Sequence, residues 1–154
     1  MKNPHPRVLA SAVLSTVLLM SIGPALADAP GAKEGLLASC PNRNNCVSSD
    51  SLNEKYQIAP FKLAMPPEQA WKELQQVIEA TPDTKIVQVT PDYIHAEYTT
   101  QRLRLTDDVE FVLKPERKQI AVRSASRVGY YDFGANRKRV EALRAQLREK
   151  GIVE

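Results

Sequence analysis

Two stretches of the chain place apolar residues at the spacing of a helix. The apolar positions of the first stretch are Trp71, Leu74, Val77 and Ile78, and those of the second are Val140, Leu143 and Leu147. Because proline suits the first turn of a helix, we predict that the first helix begins at Pro66-Pro67 and ends at Thr81-Pro82-Asp83. We predict that the second helix runs from Asn136, a good N-cap, to Lys150, with Gly151 as its C-cap.

Strand patterns fill the chain between these two helices. Alternating or β-rich segments, separated by turn residues, lie at 85–90, 93–101 (reaching 105 at most), 109–114 and 119–125, and a short strand is predicted at 61–65. No segment repeats along the chain. These elements predict an α+β fold, with a small antiparallel sheet of about four to five strands and two main helices packed on one face.

The first 27 residues have the pattern of a cleavable secretory signal peptide. A basic start is followed by an uncharged apolar run over residues 8–20, and Ala25-Leu26-Ala27 is a small-x-small cleavage site before Asp28. The alternative is a membrane anchor, but a spanning helix needs about 20 mostly apolar residues, and this run ends at Gly23-Pro24. We therefore predict export to the periplasm if the source is Gram-negative, with a flexible leader at 28–39 and a single domain at 40–154.

Composition and charge exclude several function classes. The chain has 154 residues, of which 43% are hydrophobic and 25% charged, as is typical of one soluble globular domain. The formal net charge is +3, but Lys2 and Arg7 lie in the predicted signal, so 19 basic residues remain against 18 acidic ones. This balance gives no support for nucleic acid binding. No glycine lies between Leu36 and Val128, which excludes a glycine-rich phosphate loop there, and no cofactor is predicted.

Cys40 and Cys46 are the only two cysteines of the chain. An oxidising compartment favours a disulfide between them, and closing so short a loop stabilises the fold by about 2 kcal/mol. One alternative is zinc, which takes about four ligands, although His95 is the only histidine after residue 27. Another is a lipid on Cys40, because Leu37-Ala38-Ser39-Cys40 matches a lipoprotein cleavage box. That box lies well beyond the apolar run, so we favour the disulfide.

Several short motifs together resemble one known family. They are Cys40-Pro41, Asn45-Cys46-Val47-Ser48-Ser49, Ile58-Ala59-Pro60, Asp107-Asp108-Val109-Glu110-Phe111, residues 122–129, Asp132, Gly134, Asn136-Arg137 and Arg139. Over about residues 40–147, the chain resembles the domain of unknown function family numbered 1499. The resemblance implies no activity. The family usually has aromatic residues where this chain has Arg104-Leu105-Thr106, which argues against an apolar pocket beside this strand end.

An acidic group and a set of arginines each allow two interpretations. Asp107, Asp108 and Glu110 could bind a hard cation, but they lack the glycine turn and the ligand count of a calcium loop. We favour a turn at Asp107-Asp108 whose carboxylates face Arg123 and Arg127. These two arginines, with Arg102, Arg104 and Arg137, could also converge on a carboxylate or phosphate. The alternative, which we favour, is a solvated sheet face with weak ion pairs.

The second predicted helix is strongly basic. Its positive residues are Arg137, Lys138, Arg139, Arg144, Arg148 and Lys150. Such a face could contact an anionic membrane surface. Its apolar stripe has only three aliphatic residues and no aromatic one, so we favour docking of this helix on the sheet.

An enzyme is the alternative function. His95 and Glu97 lie on one face of a predicted strand, and a hydrolase would need Ser48, Ser49 or Ser51 as its nucleophile. The chain has no GxSxG motif, and a lone histidine on a strand is usually exposed. A buried His95 hydrogen-bonded to a carboxylate inside a pocket would favour an enzyme that uses His95 and an acidic residue. A fully exposed His95 would favour a binding module.

The leading hypothesis is a non-catalytic envelope module that binds a small ligand or a protein partner. We expect its contact region at the cysteine loop, the strand end at 123–127 and the aromatic loop at 130–133, because binding residues collect in loops near strand ends. The candidate binding residues are Ser48, Ser49, Asp107, Asp108, Glu110, Arg123, Ser124, Arg127, Tyr130, Asn136 and Arg137. A third hypothesis is a purely structural partner of an envelope complex, which an exposed apolar patch would mark.

Overall fold

The computed structural model describes residues 30–100 and 103–154. The predicted signal peptide at 1–27 and Arg102 lie outside these residues. Part of the predicted leader forms a small hairpin of two strands, β1 (Ala32–Lys33) and β2 (Leu36–Leu37). Within the described residues, no helix has the length and apolar character needed to cross a membrane.

A six-stranded antiparallel sheet forms the centre of the fold. Its strands are β3 (Cys46–Ser48), β4 (Phe61–Lys62), β5 (Thr84–Val89), β6 (Tyr93–Thr99), β7 (Thr106–Lys114) and β8 (Gln119–Ser126). The order is β3-β8-β7-β6-β5, and β4 also pairs with β8, further along that strand. The sheet is larger than predicted because β3 has only three residues, too few to give an alternating pattern.

Two helices pack on one face of this sheet, as predicted. They are α1 (Pro67–Ala80) and α2 (Ala135–Glu149). The core joins the apolar stripes of both helices to every second residue of the strands, and includes Trp71, Leu74, Ile78, Ile94, Phe111, Val122, Val140, Leu143 and Leu147. The α+β class is therefore confirmed.

Two predictions about the ends of elements are wrong. Asp107 and Asp108 lie within β7 rather than in a turn, because the ladders with β6 and β8 both extend over them. The N-cap of α2 is Gly134, and Asn136 lies inside the first turn of the helix. The capping carboxylate comes from Asp132, which accepts hydrogen bonds from the backbone N–H groups of Gly134 and Asn136.

The face of the sheet opposite the helices is polar, and yet it is largely buried. His95 of β6 is the register partner of Glu110 of β7, which in turn is the partner of Arg123 of β8. All three side chains are buried. Leu37 of the β1–β2 hairpin packs against Tyr93 on this face. The leader therefore covers part of a charged surface.

Candidate functional site

Glu110 is the centre of a buried hydrogen-bond cluster on the polar face. Its Oε2 accepts from Nη1 of Arg123 at 2.6 Å, and its Oε1 accepts from the Tyr93 hydroxyl at 2.9 Å. The backbone N–H of Gly31 also donates to Oε1, at 2.6 Å. Burial raises the pKa of Tyr93, and the negative charge of Glu110 raises it further, so Tyr93 stays a neutral donor. Three donors thus hold the carboxylate in place.

His95 and Asp108 form a second cluster on the same face. Nε2 of His95 lies 2.7 Å from Oδ1 of Asp108. Arg127 donates to both oxygens of this carboxylate, at 2.8 and 3.0 Å, and also contacts Glu97. Burial raises the pKa of Asp108, but the hydrogen bonds from His95 and Arg127 outweigh that effect and lower it to about 2. Asp108 is therefore ionised at neutral pH.

The serines considered as nucleophiles lie far from this histidine. Ser48 is in β3, which β8 and β7 separate from the β6 strand of His95. Three strand spacings amount to about 14 Å. The Ser49 hydroxyl accepts from the backbone N–H of Val122 in β8, and Ser51 bonds within its own loop. The geometry therefore assembles no Ser–His–carboxylate triad from these residues.

Another polar network lies on the helix side of the sheet. The buried side chain of Asn136 donates from Nδ2 to the backbone oxygen of Asn45 at 2.9 Å. Its Oδ1 accepts from the Ser124 hydroxyl at 2.6 Å and from Arg139 at 2.8 Å. Arg139 also pairs with Asp107. This network joins α2, β8 and the loop before β3, so its members hold the fold together.

The three acidic residues of β7 pair with arginines. In the part of the chain that the structure describes, no group of three His, Cys, Asp or Glu side chains could hold a metal ion. The ion pairs are Asp107–Arg139, Asp108–Arg127 and Glu110–Arg123. Arg123 and Arg127 take the positions that the salt-bridge interpretation expects, and Arg139 is a third partner that the sequence did not indicate.

Cys40 and Cys46 form the predicted disulfide, with their Cα atoms 5.7 Å apart. Because both sulfurs are joined in this disulfide, neither is a zinc ligand. Cys46 is the first residue of β3, and its partner in β8 is Ala125. The bond therefore fixes the loop that enters the edge strand of the sheet.

An apolar cavity of about 420 Å³ lies at the end of the sheet where β6 and β8 finish. The loop between β6 and β7 lines it with Leu103 and Leu105, and the loop between β8 and α2 lines it with Val128, Tyr131 and Phe133. The Tyr131 and Phe133 rings meet edge to face, with centroids 4.8 Å apart. The sequence argument against an apolar pocket here is wrong, because Leu103, Leu105 and the residues of the facing loop supply an apolar lining without aromatic residues at positions 104–106.

Much of the apolar lining of this cavity is open to solvent. Phe133 is 81% exposed and Leu103 is 74% exposed. Tyr130, on the same loop, is also exposed, and the guanidinium of Arg43 lies 4.8 Å from the centre of its ring. Exposed apolar clusters of this kind mark binding surfaces more often than scattered apolar residues do.

The family model described as "Protein of unknown function (DUF1499)" matches residues 36–147. The chain belongs to this family. No curated protein and no solved structure matches the chain. The resemblance that the motifs indicated is thus confirmed.

The predicted site residues of this DUF1499 domain fall into separate places. The polar face holds Asp108, Glu110, Arg123, Arg127 and Ser48; the helix face holds Asp107, Ser124 and Asn136; and the surrounding loops and helix start hold Ser49, Tyr130 and Arg137. Most of the first two groups bond to one another within the fold. The loops at the end of the sheet are therefore the better candidate for a binding site.

Four of the five arginines proposed as an anion pocket lie in the described residues, and these four do not converge. Arg123 is buried on the polar face, and Arg127 lies at the margin of that face. Arg104 is exposed in the loop after β6, while Arg137 projects from the start of α2. Arg102 lies outside the described residues. An anion site that includes Arg137 would therefore take its other groups from residues outside this set of arginines.

Sequence reasoning missed three apolar residues that line the DUF1499 cavity. Leu103 and Leu105 lie within the longest extent of a predicted strand, and Val128 lies in one of the motifs that carry the family resemblance. The available signal was the presence of large apolar residues in segments that otherwise have turn composition. That signal shows that a loop contains apolar residues but not that two such loops meet.

Proposed function

We propose that this protein is an exported, non-catalytic module that binds a small apolar ligand in the cavity at the end of its sheet. The observation that carries the proposal is the cavity itself, about 420 Å³ in volume and lined by Leu103, Leu105, Val128, Tyr131 and Phe133. Small-molecule sites typically measure about 300–1,000 Å³ and are mostly apolar with a few polar groups. Thr100, Asp107, Ser126 and Asp132 supply such polar groups in its lining.

The physical advantage of an apolar ligand here is the removal of exposed hydrocarbon from water. Each Å² of apolar surface removed from water contributes about 25 cal/mol. Phe133 and Leu103 are 81% and 74% exposed and so have most of their surface still to bury. Both lie on loops held by the same β7–β8 hairpin, so a ligand would meet a largely formed site.

Export is supported by the amino-terminal pattern and by the disulfide. Residues 1–27 have the order of a secretory signal, and a disulfide persists best in an oxidising compartment. If export follows this route in a Gram-negative cell, protein recovered from the periplasm begins at Asp28. A chain recovered with residues 1–27 intact would contradict the cleavage.

The test uses a neutral fluorescent probe, N-phenyl-1-naphthylamine, which brightens in apolar sites. We expect saturable binding by the wild type and at least tenfold weaker binding by Phe133→Ser and by Leu103→Ser. The matched control is Val89→Ser, which removes a half-exposed apolar residue from β5 outside the cavity. Equal binding by all four proteins would overturn the proposal.

The same experiment separates a ligand site from a docking patch for an envelope partner. The exposed apolar residues around Phe133 are also the mark expected of a structural partner. A ligand site gives one probe per chain and is blocked by decanol. A patch that serves only as a protein interface gives no saturable binding of the probe, and it leaves the chain associated with its partner after purification from cell extract.

An enzyme that uses His95 remains the second candidate function. His95 is only 9% exposed and lies 2.7 Å from a carboxylate oxygen of Asp108, two features that an acid–base residue needs. His95 is not part of the lining of the apolar cavity. Hydrolysis of p-nitrophenyl acetate that disappears in His95→Gln and persists in Val89→Ser would support this candidate. Equal rates in all three proteins would remove it.

A further inference from the structure

A second cavity, of about 340 Å³, adjoins the apolar one. The two cavities share Tyr131 and Asp132 in their linings. The second cavity is otherwise different in character, since Lys55, Arg137 and Asn44 contribute to it. The loop between β8 and α2 therefore separates an apolar cavity from one that carries two positive charges.

Within residues 30–100 and 103–154, no carboxylate forms an ion pair with Lys55 or Arg137. In the described part of the chain, Arg137 donates one hydrogen bond, from Nη2 to the backbone oxygen of Gln57 at 2.7 Å, and forms no ion pair. The Lys55 ammonium lies 5.2 Å from the centre of the Tyr56 ring and likewise has no ion pair there.

Four other arginines of the domain contrast with Arg137. Those that pair with carboxylates are Arg123, Arg127, Arg139 and Arg144. Uncompensated cations beside a cavity attract an anion, and a guanidinium group suits a carboxylate or a phosphate in particular. Arg137 and Lys55 thus favour a negatively charged ligand group in the second cavity.

Asp132 is the acidic residue in the lining of the second cavity, and its carboxylate already accepts hydrogen bonds from other residues. Its Oδ1 accepts from the backbone N–H of Gly134 at 2.8 Å, and its Oδ2 accepts from the backbone and side chain of Asn136 at 2.9 and 2.8 Å. Burial raises the pKa of Asp132, but the hydrogen bonds from Asn136 and Gly134 outweigh that effect and lower it. The carboxylate is therefore bound to the start of α2, where the helix dipole favours negative charge.

We infer that the ligand of this domain is an anionic amphiphile. Its hydrocarbon part lies in the cavity of Leu103 and Phe133, and its carboxylate or phosphate head lies against Arg137 and Lys55 in the adjoining cavity. The two cavities lie on either side of Tyr131 and Asp132, so one molecule that bends around these residues contacts both. This inference rests on the proposed function, since it names the ligand class of the same apolar cavity.

The experiment measures displacement of N-phenyl-1-naphthylamine from the purified protein by four competitors. They are decanoate, decyl phosphate, neutral decanol and inorganic phosphate. We expect decanoate and decyl phosphate to displace the probe at concentrations at least tenfold below that of decanol, because only they reach the two cations. Inorganic phosphate lacks the hydrocarbon part and displaces nothing.

Variants separate the head site from the apolar site. In Arg137→Gln and Lys55→Gln, we expect the affinity for decanoate to fall about tenfold, toward that for decanol, while the affinity for decanol stays unchanged. The matched control is Lys138→Gln, which removes an exposed cation from the same helix outside both cavities. Far-UV circular dichroism of each variant verifies its fold.

Each outcome decides between the inference and the proposed function. Equal affinities for decanol and decanoate overturn the anionic head but leave an apolar ligand in place. No displacement by any of the decyl compounds overturns both. Binding to vesicles of anionic phospholipid, without displacement by monomeric decanoate, also overturns the inference, because the surface then docks on a bilayer instead of binding one molecule.

Discussion

Glu110 and Arg123 face each other across β7 and β8, with Nη1 of the guanidinium 2.6 Å from Oε2 of the carboxylate and with side chains that are 0% and 3% exposed. Removing one member of such a pair leaves the other charge buried without compensation. We expect Glu110→Gln to lower the free energy of unfolding by roughly 3–5 kcal/mol, which urea denaturation measures.

An ion pair with one exposed member is the control for this substitution. Arg144 and Glu141 pair at 2.9 Å; the Arg144 side chain is 8% exposed, but that of Glu141 is 50% exposed. We expect Glu141→Gln to cost less than about 1 kcal/mol, because solvent screens the exposed carboxylate and Arg144 keeps its hydrogen bonds to the backbone oxygens of Ala59 and Pro60. Replacing both Glu110 and Arg123 by leucine should restore much of the loss, since no lone charge remains. A cost for Glu110→Gln no greater than that for Glu141→Gln would contradict this account.

Asp108 should make the fold sensitive to acid. Its pKa is lowered to about 2 in the folded state, whereas an unfolded aspartate titrates near 3.9. A carboxyl group with a depressed folded pKa stabilises the fold above the unfolded pKa and loses that contribution as the pH falls through the folded value. Between about pH 4 and pH 2 we therefore expect a loss of roughly 2 kcal/mol from this group.

The matched variants for this test are Asp108→Asn and Glu149→Gln. Asp108→Asn should show a lower free energy of unfolding at pH 7 and a shallower decrease between pH 4 and pH 2. Glu149 is exposed at the end of α2, so its replacement should leave the pH profile of the wild type unchanged. Urea denaturation at several pH values measures the free energy of unfolding. An equal decrease between pH 4 and pH 2 in the wild type and in Asp108→Asn would contradict the prediction.

Local patterns in the sequence were enough for most of the fold. Both helices were predicted because a stripe such as Trp71, Leu74 and Ile78 recurs within a few residues and needs no knowledge of distant contacts. β3 was missed because three residues carry no period. The strand position of Asp107 and Asp108 was also missed, since pairing with β8 overrides the turn preference of two consecutive aspartates.

The candidate site depended on contacts that no local pattern encodes. Leu103 and Phe133 lie 30 positions apart in the chain, and the β7–β8 hairpin brings their loops together. Lys55 and Arg137 are 82 positions apart and line one cavity only because α2 begins beside β3. The sequence indicated that the aromatic loop was available for contact, but not which residues would face it.

Asn136 should be far more important for stability than its residue type suggests. It is fully buried and donates from Nδ2 to the backbone oxygen of Asn45 while accepting from Ser124. In Asn136→Asp, a carboxylate oxygen would replace this donor and face the Asn45 oxygen without a hydrogen. We expect the free energy of unfolding to fall by roughly 3 kcal/mol, measured by urea denaturation.

The control for that substitution is Gln146→Glu, which makes the same amide-to-acid change at an exposed position of α2. Its cost should stay below about 0.5 kcal/mol, because surface substitutions away from special contacts are nearly neutral. Asn136→Ser offers a second check, since a hydroxyl can keep one donor in place. If Asn136→Asp were as stable as Gln146→Glu, the network would not hold α2 to the sheet.

Loss of the disulfide should loosen one edge of the sheet and leave its centre intact. The Cys40–Cys46 bond closes a short loop, whose removal costs about 2 kcal/mol through the greater freedom of the unfolded chain. In Cys40→Ser/Cys46→Ser, we expect faster hydrogen exchange at the amides of Asn44 and Ser126, which bond to Tyr130 and Asn45 beside the loop. The amide of Leu113 bonds to Asp92, far from the loop. Its hydrogen exchange should become faster only by as much as the lower global stability explains. Uniform loss of protection at all three amides would show instead that the disulfide acts on the whole domain.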